Sequence, residues 1–262
     1  MIDTHSHLLP GIDDGAESLE DAVQLCRIAA GDGVTATVCT PHISFRYANN
    51  RETIEGAFGQ LQNALREAGI PLRLVKGAEV HLAPDIVDKV RKGDLVTYND
   101  GGTYLLLEFP FQQVLTGDQE MVYRLRLVGV TPVIAHPERI GYFMDDPDRL
   151  ERLVRLGALS QITGGSVLGR FGERSHRASM IMLERRLAHL LASDAHDATY
   201  RGPVLAEAAD AVERGFGVEC SRAMVIENPR ALIEGEPIDA PEPLKAPRRG
   251  GRFFRFFRRG DG

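Results

Sequence analysis

The sequence predicts an α/β protein built as a distorted, TIM-like (β/α)7 barrel. Two observations carry that reading. Apolar strand-like runs alternate with helix-period segments about seven times along 262 residues, an ordinary length for one barrel. Histidines and carboxylates recur at the C-terminal ends of the strand-like runs, the face on which βα barrels keep their active sites. A doubly wound open sheet is the competing arrangement, but no Gly-x-Gly-x-x-Gly fingerprint follows the first run.

The opening run carries His5 and His7 two positions apart, so an extended strand points both the same way and lets them grip one ion. Pro10-Gly11 turns the chain, and Asp13-Asp14-Gly15 offers hard oxygen ligands on the loop that follows. Ser18 with Asp21 three residues later is a helix-start signature; Leu19, Val23, Leu25 and Ile28 carry the helix to about Ala30, where Gly31 and Gly33 end it. Residues 35–40 read as a buried strand delivering His42, residues 51–68 as a helix, and residues 72–80 as one alternating strand with Glu79 near its end. Residues 103–109 end at Glu108 and precede a helix at 121–127. Residues 130–135 lead to His136 and Arg139, with a covering helix at 146–156. Residues 159–163 enter a glycine-rich turn at Gly164-Gly165, and a helix follows at 174–187. The seventh strand, 188–192, runs into Asp194 and His196; a helix at 206–215 and a short one near Asn228 complete the pattern.

With 43% hydrophobic and 26% charged residues the chain has the composition of a soluble globular protein. The net charge of −6 conceals a basic stretch after Pro241, so the main domain is more acidic than the total and a nucleic-acid partner is excluded. Cys26, Cys39 and Cys220 show no Cys-x-x-Cys pairing, and there is neither an apolar leader nor a membrane-length run, which together predict a cytoplasmic protein. Residues 1–239 are expected to form the barrel, and residues 240–262 a basic, phenylalanine-rich tail that is disordered when free. On a helical wheel the phenylalanines from Phe253 to Phe257 fall opposite Arg252, Arg255, Arg258 and Arg259. Such a segment suits the anionic inner face of a membrane or an acidic partner.

The strand-end set is His5, His7, Asp14, His42, Glu79, Glu108, His136, Asp194 and His196. Imidazoles and carboxylates without thiolate suit manganese, iron or zinc, and the set exceeds what one ion can use, so two or three ions are expected. Against the four carboxylates, three divalent ions would leave about two positive charges and two ions none. Arg139 and Arg201 follow ligand histidines closely enough to offer guanidinium forks to phosphate oxygens. A cysteine-based phosphatase loop is absent, since Phe45 stands where Cys39 would need an arginine. His81 is a candidate supporting residue, and His176 and His189 read as surface or core residues.

His-Ser-His-Leu-Leu-Pro-Gly-Ile-Asp-Asp-Gly, Thr-Pro-His, Gly-Ala-Glu-Val, Leu-Leu-Glu-Phe-Pro, Ala-His-Pro-Glu-Arg, Gly-Ser-Val-Leu-Gly-Arg-Phe-Gly and Ser-Asp-Ala-His occur in this order. With these motifs the chain resembles the polymerase and histidinol phosphatase (PHP) superfamily. Within it, the resemblance is to the manganese-dependent protein-tyrosine phosphatases of bacterial capsule and exopolysaccharide operons. It covers Met1 to about Pro237, with Gly165 where alanine is expected and Asp197 where asparagine is common. It implies the PHP fold and three ions: one on His5, His7, Glu79 and Asp194, a second on Glu79, Glu108 and His136, a third on Asp14, His42 and His196. The implied reaction is attack of a metal-bound hydroxide on phosphotyrosine of a membrane-bound kinase or polysaccharide co-polymerase, with His42 or His196 available to protonate the leaving phenolate. A histidinol-phosphatase-like phosphomonoesterase and a non-catalytic metal-binding scaffold are the alternatives; an amidohydrolase also begins with His-x-His. The resemblance also allows a homo-oligomer, with Glu20 and Arg27 on the first helix as candidate contacts.

Overall fold

The computed structural model describes residues 1–245 apart from Leu115. Its strands are β1 (Ile2–Ser6), β2 (Ala36–Cys39), β3 (His42–Ile43), β4 (Arg73–Lys76), β5 (Glu79–His81), β6 (Tyr104–Glu108), β7 (Thr131–Ala135), β8 (Leu159–Thr163) and β9 (Leu190–Ala192). Every pairing between them is parallel, in the orders β1-β2-β4 and β3-β5-β6-β7-β8-β9. β2 continues into β3 and β4 into β5, so nine segments fill seven strand positions. Beyond β9 the Asp194 N–H donates to the His5 carbonyl (2.9 Å) and the His7 N–H to the Ala195 carbonyl (2.8 Å), joining the last position to the first.

The expected single strand at 72–80 is two strands in different sheets. The break lies at Gly77, where a Cβ would stand 2.8 Å from Val38 Cγ1 and 3.2 Å from Thr40 Cγ2. Only a residue without a side chain lets the two strands approach this closely, and a glycine inside a strand marks such a place. The neighbouring break follows from Pro41, which has no N–H for a ladder and whose carbonyl accepts from Glu79 N–H at 3.1 Å. The expected turn at Gly164-Gly165 is instead one helical turn, Gly164–Val167.

Alternation along the strands builds two layers. Leu106, Val133, Leu159 and Leu190 belong to an inner cluster, while Leu105, Leu107, Ile134 and Leu191 face the surrounding helices. Each fully buried leucine of this kind contributes about 1.5–3 kcal/mol. Leu232 and Ile233, on helix Asn228–Glu234, join the inner cluster beside Tyr98. The covering helices begin where their caps dictate: Ser18 and Asp21 form a reciprocal capping box ahead of Leu19–Gly31, and Asp146 accepts from Asp148 N–H ahead of Pro147–Arg155.

The chain keeps contact with these helices past Ala240: Arg155 donates to the Pro243 carbonyl (3.2 Å) and Leu244 N–H to the Arg185 carbonyl (2.9 Å). The amphipathic stretch expected at Phe253 to Phe257 lies outside the described residues. Among the described residues no helix is long and apolar enough to cross a membrane.

Candidate metal centre

The C-terminal ends of the strand positions bring all nine strand-end residues to one end of the ring. β1 carries His5 and delivers His7, and their Nε2 atoms stand 3.1 Å apart. The other ring nitrogen of each faces an oxygen acceptor: His5 Nδ1 lies 3.0 Å from Gln161 Oε1, and His7 Nδ1 lies 2.7 Å from Asp13 Oδ2. An acceptor at Nδ1 fixes the proton there and leaves Nε2 with a lone pair. Two lone pairs therefore confront each other whenever both rings are neutral.

Carboxylates close the same space. Glu79 Oε2 lies 3.4 Å from both Nε2 atoms, and Asp194 Oδ1 lies 3.4 Å from that of His5 and 3.5 Å from that of His7. Glu79 Oε2 is also 3.0 Å from His42 Nδ1, yet this buried atom has no hydrogen-bond partner. The ligand atoms of His5, His7 and Glu79 all lie within 4.8 Å of one another, which leaves room for one ion at about 2.0–2.4 Å from each, the range of bonds from divalent metals to nitrogen and oxygen, with Asp194 alongside. The residues present fit a metal better than they fit one another.

Two further groups of donors adjoin the first. His7, Asp14, His42 and His196 each turn one ligand atom into a common volume, as do His42, Glu79 and Glu108. His136 Nε2 meets the other Glu79 oxygen at 2.9 Å. Glu108 Oε2 lies 3.3 Å from His81 Nδ1 and 3.8 Å from His42 Nδ1. The second implied group thus has His42 beside Glu108, with His136 reaching Glu79 from its far side.

The electrostatics follow from this crowding. Burial opposes the charged form of Asp194, but His5, Arg201, His136 and Arg139 hold its carboxyl well below the usual range. Burial works equally against Glu79, and His5, His136 and His42 overcome it. His7 is held at about 9 against burial by its bond to Asp13 and by the nearby Glu79 carboxylate, and His42 at about 11 by Asp14 and Glu79. His196 moves down instead, through burial and the nearby His7. Arg139 and Arg201 both donate to Asp194 Oδ2, at 2.5 and 2.6 Å. Two of the site residues occupy left-handed backbone, His136 at φ 33° and Asp194 at φ 54°. Such non-glycine conformations cost on the order of 1–3 kcal/mol each and persist where the surroundings impose them.

Several contributors escaped the sequence reading. Gln161, which orients His5, is a polar residue inside a buried strand, and that exception to the apolar pattern was its signal. Asp13, expected as a hard oxygen on the loop after the first strand or as a residue supporting a ligand, faces His7 Nδ1 and accepts from Gly15 and His42 N–H. Asp3, raised to about 6 by burial, ties β1 to the Asp194 loop by accepting from the Ser193 N–H (3.0 Å) and hydroxyl (2.5 Å). Phe111 and Phe171 flank the Arg139 guanidinium at 5.7 and 4.8 Å from their ring centres; Phe171 belongs to the Gly-Ser-Val-Leu-Gly-Arg-Phe-Gly motif, which does not announce this contact, and Phe111 to none of the motifs.

The pattern of the family described as Capsular polysaccharide synthesis, CpsB/CapC, matches residues 1–234. The chain belongs to the CpsB/CapC family. Tyrosine-protein phosphatase YwqE of Bacillus subtilis (strain 168) is a relative 36% identical over 258 residues, which cover 98% of this chain and 100% of that protein. A crystal structure from work on YwqE and on CpsB of Streptococcus pneumoniae, described as unique metal-dependent tyrosine phosphatases, superposes with a TM-score of 0.90 at 36% identity. The match spans 95% of this CpsB/CapC chain and 100% of that one. A phosphotriesterase from Mycobacterium tuberculosis superposes at TM-score 0.55 with 14% identity, covering 89% of this chain and 93% of that one, which shows a shared fold alone.

Proposed function

We propose that this chain is a manganese-dependent protein-tyrosine phosphatase. Its substrate would be phosphotyrosine on a membrane-bound kinase or polysaccharide co-polymerase, and its role the regulation of capsule or exopolysaccharide synthesis. The observation that carries the reading is the confrontation around Glu79 Oε2: three histidine nitrogens within 3.4 Å of a buried carboxylate oxygen that has no hydrogen-bond partner. Membership of the CpsB/CapC family and the likeness to YwqE support it.

His5, His7, Glu79 and Asp194 would hold one ion; Glu79, Glu108 and His136, with His42 alongside, a second; Asp14, His42 and His196 a third. The nitrogen and oxygen donor set favours manganese, with iron or zinc as substitutes. When bound, the ions supply positive charge for a phosphoryl group and a nucleophile at neutral pH. The chain's own residues do the rest. Asp13 and Gln161 hold the tautomers of His7 and His5. Arg139 and Arg201, already oriented by Asp194, offer forks to the phosphoryl oxygens, and the buried Nε of Arg201 has no hydrogen-bond partner. His42 and His196 stand beside Asp14, where the phenolate would take up its proton; ligation competes with that role in both.

Comparison of phosphotyrosine, phosphoserine and histidinol phosphate as substrates, with metal content measured on the same sample, tests the reading. Manganese-stimulated preference for phosphotyrosine is expected. Preference for histidinol phosphate would make the chain a small-molecule phosphomonoesterase, and a metal-loaded inactive protein would make it a scaffold.

The reading extends to a cytoplasmic enzyme held at the inner membrane face by its arginine- and phenylalanine-rich C-terminal residues. Equal co-sedimentation of the full chain and a chain ending at residue 245 with anionic vesicles would remove the membrane contact. A homo-oligomer using the exposed Glu20 and Arg27 would appear in sedimentation equilibrium and dissociate on reversing either charge.

A further inference from the structure

The floor of the site is closed, since His5, His7 and Glu79 are 0% exposed. A phosphate ester entering with its phosphorus toward these groups must therefore carry its organic substituent toward the open side. The rings found there are aromatic. Phe111, in the loop after β6, lies nearly parallel to the His136 ring at 19° and 5.4 Å between centres, and is 40% exposed. Tyr47 lies nearly parallel to His42 at 9° and 5.6 Å. His42 and His136 in turn face the two different oxygens of Glu79, at 3.0 and 2.9 Å. An aromatic ring thus backs each of the two histidines that flank Glu79.

We infer that Phe111 is the specificity-determining residue of this site, its exposed ring packing against the phenyl group of an aryl phosphate. The inference rests on the phosphotyrosine-phosphatase reading and adds how that site tells an aryl from an alkyl ester. A large apolar ring left in water beside charged groups gains on contact with another apolar ring, and aromatic pairs gain further from offset or edge packing. A phosphoserine side chain offers no ring to complete that contact.

Phe111 also touches the Arg139 guanidinium, so its substitution could act through the arginine. The two roles separate by substrate. With Phe111→Leu, which keeps an apolar side chain, kcat/KM for 4-nitrophenyl phosphate relative to glycerol 2-phosphate falls about two- to tenfold, the scale of one aromatic pair. An equal fall with both substrates would place Phe111 in support of Arg139 and overturn the inference. Calorimetric titration of the manganese-loaded protein with phenylphosphonate and methylphosphonate reads the same contact without turnover. The unaltered protein binds the phenyl compound more tightly, and Phe111→Leu reduces that preference about two- to tenfold. No preference for phenyl in the unaltered protein, or a preference that survives the substitution, sinks the inference. Absence of turnover on both esters, with the phosphonate preference intact, would instead sink the phosphatase reading alone.

Discussion

His7 and His189 stand at opposite ends of the ring, one just after β1 and the other just before β9, and both are buried. Burial lowers the pKa of any histidine by disfavouring its charge. At His189 nothing outweighs this: its Nδ1 accepts the Ser160 N–H at 3.0 Å and its pKa falls to about 4. At His7 the carboxylates of Asp13 and Glu79 overcome burial and hold it at about 9. The difference separates a structural histidine from a ligand candidate: the first spends its ring on a backbone bond, the second is surrounded by more negative charge than a neutral ring requires. A concentration of charge that the fold does not need for its own stability is what a metal would satisfy.

The largest test of this contrast removes charge from the crowded end. Glu79→Gln keeps the shape of the side chain but takes the negative charge from the oxygen shared by His5, His7 and His42. Loss of outer support for a metal ligand costs about 10–100-fold in affinity or activity, so loss of a shared ligand is expected to exceed about 100-fold. Phosphate release and bound metal, measured together, should fall in parallel; activity retained above a tenth would break the comparison.

One step outward, Asp13→Ala frees the His7 tautomer while leaving every proposed ligand in place. Manganese affinity and activity should each fall about 10–100-fold. In the metal-free protein the same substitution removes the main support for the raised pKa of His7. The sign is definite: a folded pKa above the unfolded value of 6.5 contributes stability that is complete below that pH and is lost as pH rises through about 9. Thermal melts of the metal-free Asp13→Ala protein should therefore show a shallower alkaline decline between those limits, the part that His42 supplies remaining.

His189 supplies the opposite slope. Its folded pKa of about 4 lies below its unfolded value of 6.5, so the unfolded chain binds the extra proton between these limits and stability falls as pH drops from 6.5 to 4. The full difference is about 3 kcal/mol. His189→Leu should flatten this acid-side decline in metal-free melts, at the expense of about 1 kcal/mol for the Ser160 N–H left unbonded. An unchanged acid-side slope would mean that burial does not govern His189.

The contrast also marks what the sequence could tell. Eight of the nine residues were legible because a parallel α/β ring places every strand's C-terminal end on one face, so position along each strand stands for position in space, whereas Asp14 was legible from the Asp-Asp-Gly loop after β1. That rule holds for residues on strands and fails for those brought in by loops. Phe111 and Phe171 reach the site through loop geometry that no periodicity encodes, and Gln161 shows in the sequence only as a polar residue within a buried strand. The split of 72–80 had its mark in Gly77, but a single glycine in an alternating run does not announce a change of sheet. The short helices Ile86–Lys92 and Val218–Arg222 are too brief for a period of 3.6 to emerge from their sequences.

The smallest expected effect lies at the outer edge of the crowded end. A Cβ at Gly165 would stand 2.7 Å from Cε2 and 2.8 Å from Cζ of Phe171, the ring that lies 4.8 Å under the Arg139 guanidinium. The obstructed atoms form the far edge of a partly exposed side chain, so Gly165→Ala should turn the ring aside without disturbing the backbone. Arg139 would keep its bond to Asp194 and lose one aromatic face. A cation–π contact at such a site is worth about 0.5–1 kcal/mol, which predicts a two- to fivefold fall in kcat/KM with bound metal unchanged. A much larger fall would show that the guanidinium depends on Phe171 for its aim. Loss of metal would show that the disturbance had passed through Arg139 and Asp194 to the ligands, erasing the distinction between the outer edge and the floor.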